Sequence, residues 1–177
     1  MIKKIINPKL SRSEKMAFEK HVKANMKRAY YSAFGIIGSH DAAMELSQSA
    51  FIKAYRSFKS YDNTKKFFTW YYTILRNLCF NFIRDLKAKN RIDFYDQIEL
   101  KDDMNPADNV EYEEIKEKLW QSIHQLEFND REVIILKEFE NFSYQEISET
   151  LNVPMGTVMS RLYYARKKLA KKLEVFK

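Results

Sequence analysis

Apolar residues recur along this chain at steps of three and four, and little interrupts them: 177 residues contain three Gly and three Pro. That is too few turn-formers to punctuate a many-stranded sheet, so the chain is restricted to helices with short connections. Ser11 and Glu14 stand at capping-box spacing, and Phe18, Val22, Met26, Ala29, Ala33 and Ile37 then predict one buried stripe of a long helix. After Gly38 a second stripe runs through Ala43, Leu46, Ala50, Ala54 and Phe58. Asn129 with Glu132 and Ser143 with Glu146 repeat N-cap spacing, predicting helices near 130–140 and 143–151. Asn152-Val153-Pro154 breaks the chain, and Val158, Leu162, Ala165, Leu169 and Leu173 mark a last helix from Met155 into the 170s. The expected fold is all-α.

Charge divides the chain. The net +7 resolves into 18 basic and 6 acidic residues over 1–89, 3 and 10 over 90–117, and 10 and 8 over 118–177. The expected organisation is therefore a helical domain over 1–90, an acidic linker over 91–114 containing Asn105-Pro106, and a second helical domain over 115–177. With 45% apolar and 15% aromatic residues the chain can bury a core, so the positive excess belongs to a folded surface and points to a polyanionic partner. Cys79 is the sole cysteine, which excludes an internal disulfide and a cysteine-built zinc site; its expected identity is a small buried hydrophobe in a reducing setting. No stretch reaches the roughly 18 apolar residues of a membrane span, and Met1 to Leu10 lacks a signal-peptide core, so a cytoplasmic protein is expected. His21, His40 and His124 have no metal-ligand spacing and no Gly-rich phosphate loop is present. These histidines are expected at the surface or at a boundary, with no catalytic centre, metal or cofactor.

Two segments carry candidate chemistry. Lys65 and Lys66 precede Phe67, Phe68, Trp70, Tyr71 and Tyr72, then come Arg76, Asn77, Asn81 and Arg84. Consecutive helical residues point about 100° apart, so so dense a cluster cannot face one core and some rings are expected near the surface. Rings interleaved with cations suit single-stranded nucleic acid, where bases stack at about 1–3 kcal/mol each and cations follow phosphates. The same residues equally admit rings in a core with a solvated basic face. Further on, two short helices joined by a tight turn describe a helix-turn-helix whose second helix shows an outer stripe of Thr157, Ser160, Arg161, Tyr164 and Lys168. Arg161 is placed to reach a base edge or a phosphate.

These residues carry a family resemblance. Ser143-Tyr144-Gln145-Glu146-Ile147, followed by Val153 to Leu162 and Ala165-Arg166, resembles the promoter-reading fourth region of extracytoplasmic-function sigma factors. Phe68-Thr69-Trp70-Tyr71 with Ile74, Arg76, Asn77 and Arg84 resembles their second region's melting and minus-ten segment, and Glu45-Leu46-Ser47-Gln48 before Phe51 resembles their clamp-binding stretch. The resemblance implies a two-domain helical protein that binds core RNA polymerase, directs it to promoters and helps melt the duplex. It assigns Glu45, Gln48, Ser49 and Ile52 to the polymerase, and Lys65, Lys66, Phe68, Trp70, Tyr71, Arg76, Asn77, Asn81 and Arg84 to the minus-ten strand. Thr157, Met159, Ser160, Arg161, Tyr163, Tyr164, Arg166 and Lys168 go to minus-thirty-five duplex DNA. Ala42 and Ser49 stand where relatives often carry acids, which shifts weight onto Ile52 and Gln48. Promoter DNA and an anti-sigma factor are the further expected partners. A stand-alone helix-turn-helix regulator with sensing N-terminal helices is the alternative reading.

Overall fold

Ser11 opens the first helix, α1 (Arg12–Ile37), through a complete capping box: its hydroxyl accepts from the Glu14 amide while the Glu14 carboxylate accepts from the Ser11 amide. Gly38 closes it in the left-handed region, φ 80°, its N–H bonding the Phe34 carbonyl. The computed structural model describes residues 10–88 and 110–174, with side chains over 10–88 and 114–174. Among these residues the remaining helices are α2 (His40–Ser57), α3 (Phe67–Ala88), α4 (Val110–His124), α5 (Phe128–Ile134), α6 (Tyr144–Leu151) and α7 (Met155–Glu174). A 3₁₀ turn follows α2 over Phe58–Ser60, and a π-helical turn extends α5 over Ile135–Phe139. Most of the stretch read as acidic linker lies outside the described residues, and α4 opens inside its last part.

The second stripe packs as its spacing predicts. Ala43, Leu46, Ala50, Ala54 and Phe58 are all buried, the alanines allowing α2 close approach to α1 and α3. Val158, Leu162 and Ala165 are likewise buried and seat α7 on α5 and α6. Ser143 caps α6 with a second capping box, and Asn152 at φ 52° ends it, so the turn before α7 is the predicted one. Asn129 makes no cap; α5 begins two residues earlier than that cap would start it, at Phe128, behind Glu127. Met26 also departs from its stripe and is exposed, whereas the C-terminal part of α1 is covered throughout, with every residue from Ser32 to Ile37 buried.

That covering comes from the other half of the chain. The carbonyls of the last turn of a helix have no intrahelical partners, and α1 has no basic residue there of its own. His124 from α4 donates from Nε2 to the Phe34 carbonyl at 3.1 Å, and Arg131 from α5 donates to the Ile36 carbonyl at 2.6 Å. The guanidinium also reaches the Leu126 carbonyl at 3.2 Å, placing a cation at the negative end of the helix dipole. Gly35 lies in this contact: a Cβ there would sit 2.5 Å from Ile135 Cδ1 and 3.3 Å from the Trp120 ring. His124 is thus buried rather than at the surface or a boundary, since its ring is needed as a donor to a buried carbonyl. Among the described residues, no helix is long and apolar enough to cross a membrane, and no group of three His, Cys, Asp or Glu is placed to hold a metal ion.

Two measurements check this seam. Alanine would be favoured over Gly35 by about 1 kcal/mol on helix propensity alone. Contact with Ile135 reverses the sign, and Gly35→Val is expected to cost about 1–3 kcal/mol by overpacking, read as a lower urea midpoint. The His124 ring, ordinarily titrating near 6.5, is pushed down to about 4 by burial and then by Arg131. Between those values the unfolded chain binds the extra proton, so this contribution is complete above pH 6.5 and is lost as pH falls towards 4, at most about 3 kcal/mol. Urea midpoints taken across that range should fall steadily in the native chain and less steeply in His124→Gln.

Candidate nucleic-acid and partner interfaces

The helical registers of α2, α3 and α7 sort the candidate residues between surface and core. On α2, Glu45 and Gln48 are exposed, Ser49 is half-buried and Ile52 is 54% exposed. Met44 and Tyr55 are exposed beside them, so Met44, Gln48, Ile52 and Tyr55 form one outward ridge at helical spacing. The sequence places Gln48 and Ile52 on this face, and the structure extends it with Met44 and Tyr55. An apolar ridge with a polar rim has the composition of a protein-docking surface.

On α3 the outcome is mixed. Lys65 and Lys66 lie exposed just before the helix, and Asn77, Asn81 and Arg84 are exposed along it. Phe68 and Tyr71 are buried, which corrects their expected place on a strand-binding surface; Phe67 and Tyr72 are buried with them. The reason is that α3 has two cores rather than one. Tyr71 points into the N-terminal half, stacking on Phe51 at 4.3 Å and donating its hydroxyl to the Ser47 carbonyl at 3.0 Å. Phe68 and Tyr72 face the other way, against Phe142 of the C-terminal half at 6.4 and 6.0 Å between ring centres. Trp70 is half-buried, packed on Phe67 and on Tyr61 at 5.1 Å. Cys79 is fully buried with its thiol pushed up by desolvation, as expected of a small core residue.

Arg76 is not free on that face. Both its Nε and Nη2 donate to the Glu132 carboxylate, at 2.6 and 3.2 Å. Glu132 is fully buried, and desolvation raises its carboxyl against the opposing pull of Arg76. Lys66 donates to Glu146 at 2.8 Å. That bond and the Ser143 amide hold the Glu146 carboxyl down at about 2.

On α7 the outer surface carries Met159, Tyr163 and Tyr164, all exposed, with Ser160 beside them and Thr157 and Arg161 half-buried. Thr157 and Ser160 belong to the helix's first turns, where a recognition helix meets base edges. Arg166 is engaged by Glu138 at 2.6 Å and Lys168 by Asp130, both within the C-terminal half. The exposed Arg166–Glu138 pair is worth about 0–1 kcal/mol, so it yields readily to phosphate, whereas Asp130 beneath Lys168 is buried.

The chain matches two family profiles in series: Sigma-70 region 2 over residues 21–89 and Sigma-70, region 4 over residues 116–169. It is 34% identical to the ECF RNA polymerase sigma factor SigW of Bacillus subtilis over 98% of this chain and 97% of that one. It is 34% identical to the RNA polymerase sigma-H factor of Pseudomonas aeruginosa over 76% of each chain. The ECF RNA polymerase sigma-E factor of Escherichia coli K12 is 32% identical over 73% of each. Among solved structures, the sigma factor RpoE of Bartonella quintana, in complex with the anti-sigma factor NepR, superposes with a TM-score of 0.72 at 24% identity, covering 91% of this chain and 99% of that one. CnrH, in complex with the cytosolic domain of CnrY, superposes with a TM-score of 0.67 at 20% identity, covering 91% and 90%. At those identities the likeness shows the fold.

The division of α3 between core and surface has a measurable consequence. Tyr71→Ala is expected to cost about 3–5 kcal/mol of stability in urea unfolding, the price of removing a buried ring. Asn77→Ala, at an exposed position, should stay within about 0.5 kcal/mol of the native chain. Ser143→Ala is expected to cost about 1 kcal/mol by removing the α6 cap.

Proposed function

The chain belongs to the extracytoplasmic-function sigma factors of the sigma-70 family, and from that premise we propose how its own residues serve promoter recognition by RNA polymerase. The chain binds core polymerase, directs it to specific promoters and promotes melting for transcription initiation. It works in the cytoplasm and contributes no bond-making chemistry; the catalytic site is the polymerase's. The observation that carries this reading is the pairing, in one chain and in family order, of a region 2 segment with a region 4 segment.

Residues 1–90 serve polymerase binding and strand capture, and 115–177 serve the upstream element, with 91–114 joining them. On α2, the ridge of Gln48 and Ile52 with Glu45 and Ser49 at its edge takes the polymerase. Ile52 is the anchor, because it adds apolar area where a polar rim already excludes water. On α3, Asn77, Asn81, Arg84, Arg76, Trp70, Lys65 and Lys66 take the non-template strand. Asn amides hydrogen-bond the Watson–Crick edges of unstacked bases, the indole offers a stacking face and the cations follow phosphate. Phe68 and Tyr71 act from beneath, holding the helix that presents those groups. On α7, Thr157, Met159, Ser160, Arg161, Tyr163 and Tyr164 meet duplex DNA, with Met159 and Tyr164 offering apolar contact to thymine methyls. Arg166 and Lys168 exchange their carboxylate partners for phosphate, which makes binding salt-dependent.

Transcription with core polymerase on a library of genomic fragments tests the reading. Specific transcripts should appear only when the chain is added; none under any condition, with no co-purification of core, would overturn it. Ile52→Glu is expected to weaken core binding by about tenfold or more, a loss of ~1.4 kcal/mol or greater, while leaving the urea midpoint unchanged. Arg161→Ala should instead lower promoter selectivity with core binding intact.

A further inference from the structure

A groove between the two halves takes no part in the roles assigned above. It is lined from the C-terminal end of α3 on one side and from α4, α5 and α7 on the other, with a cavity volume of about 590 Å³. That volume lies within the roughly 300–1,000 Å³ of small-molecule sites. Ile83 and Leu126, both buried, and the half-buried ring of Phe128 supply its apolar lining, and Phe80 holds that ring edge-on at 5.5 Å.

The charged lining is one-sided. Lys87 of α3, Arg131 of α5 and Lys172 of α7 stand against one carboxylate, Glu127, while His124 titrates near 4 and is neutral, so the groove carries two positive charges in excess. Lys87 and Lys172 each lie in the last turn of a helix, where the dipole favours a cation. That accounts for a lysine at either position, but not for their convergence from two halves on one groove. Lys172 donates to Gln125 Oε1 at 3.1 Å, and neither lysine has a carboxylate partner among the described residues. The polar lining is incomplete as well. With Nε2 donating to the Phe34 carbonyl, His124 keeps Nδ1 as a buried acceptor that meets no donor among the described residues. Gln121 directs its Nε2 to Glu117 and Gln125 its Oε1 to Lys172, so one amide still offers an acceptor and the other a donor.

We propose that this groove binds a nucleotide, with its phosphates on Lys87 and Lys172 and its base against the apolar lining around Phe128, where Gln121 and Gln125 meet the base edge. Lysine ammonium groups are compact point charges that suit phosphate, and two phosphoryl charges offset the excess of the lining. Arg131 sits beneath, its guanidinium bonded to the Ile36 and Leu126 carbonyls, and adds positive potential through the wall. Inorganic phosphate would leave the apolar lining wet, and a monocarboxylate would meet one lysine and not the other. A flat base fills the first need and a chain of phosphates the second. The site draws residues from both halves, so the nucleotide bridges them. It is independent of the promoter-recognition roles given to α2, α3 and α7.

Calorimetric titration of the full-length chain with ATP tests the site, with pyrophosphate and adenosine as part-ligands. Saturable one-to-one binding of ATP is expected, and each part-ligand should bind about tenfold or more weakly. Lys87→Ala and Lys172→Ala should each weaken ATP by about fivefold to tenfold with the urea midpoint unchanged, since Lys87 is exposed and Lys172 half-buried at the surface. Lys172→Arg, which keeps the charge, should recover most of that loss. A chain of net charge +7 attracts any polyanion diffusely, so Lys20→Ala with Lys23→Ala, two exposed lysines on α1, serves as the control and should leave ATP affinity as it was. Because both halves contribute, ATP should also raise the thermal midpoint of the native chain, and do so less in Lys87→Ala. Absence of saturable binding, affinity untouched by both groove variants, or an equal loss in the α1 control would overturn the site. Pyrophosphate or adenosine binding as tightly as ATP would overturn its assignment to a nucleotide.

Discussion

The carbonyl end of α1 is the point on which this structure turns. Buried carbonyls without partners cost about 1–3 kcal/mol each, and α1 has no basic side chain in its own last turn to offset that. His124 and Arg131 supply the donors from α4 and α5, some ninety residues away in sequence. Gly35 permits the approach, because any side chain there would meet Ile135. Gly38 caps the Phe34 carbonyl within α1 itself, whereas the Ile36 carbonyl takes its donor from Arg131 of the other half, so the packing of one half helps satisfy the other.

The rest of the seam follows from that approach. Once α5 lies across the end of α1, the π-helical turn after it carries Glu140 back towards Arg28 and Ser32, and Phe142 into Phe68 and Tyr72. Single π turns inside helices often occur at functional positions because the extra residue re-aims those that follow. Here it points a carboxylate at a guanidinium. The seam thus combines apolar rings, which hold by area, with buried ion pairs, whose attraction is partly cancelled by desolvation.

Two of the candidate surfaces lie outside the seam. The α2 ridge and the outer face of α7 are open, while part of the α3 face is engaged by the other half. Arg76 is the residue of these faces whose guanidinium fork is taken up by a buried carboxylate of the other half.

Much of this was legible along the chain. Capping boxes at Ser11 and Ser143, the alanine-rich stripe of α2, the Asn152 turn and the outer stripe of α7 are local patterns, set by helix periodicity and by side chains bonding their own backbone within a few residues. The family motifs, the charge division and the exposure of Asn77, Asn81 and Ile52 follow from the same short-range register. What the sequence could not decide was how many cores α3 would serve. Its ring density admits either surface aromatics or a core, because one core can bury only one face of a helix; the tertiary structure buries two faces of α3, and so Phe68 and Tyr71 lie inside. Likewise His124 was an isolated ring until folding set it beside a carbonyl of α1, and Arg76 was a free cation until Glu132 arrived from α5. Local pattern determines which helices form and which way each is amphipathic, because those energies act within a turn or two. Burial of a second face, and the partner of a buried charge, depend on elements distant in sequence and are decided only when the halves meet.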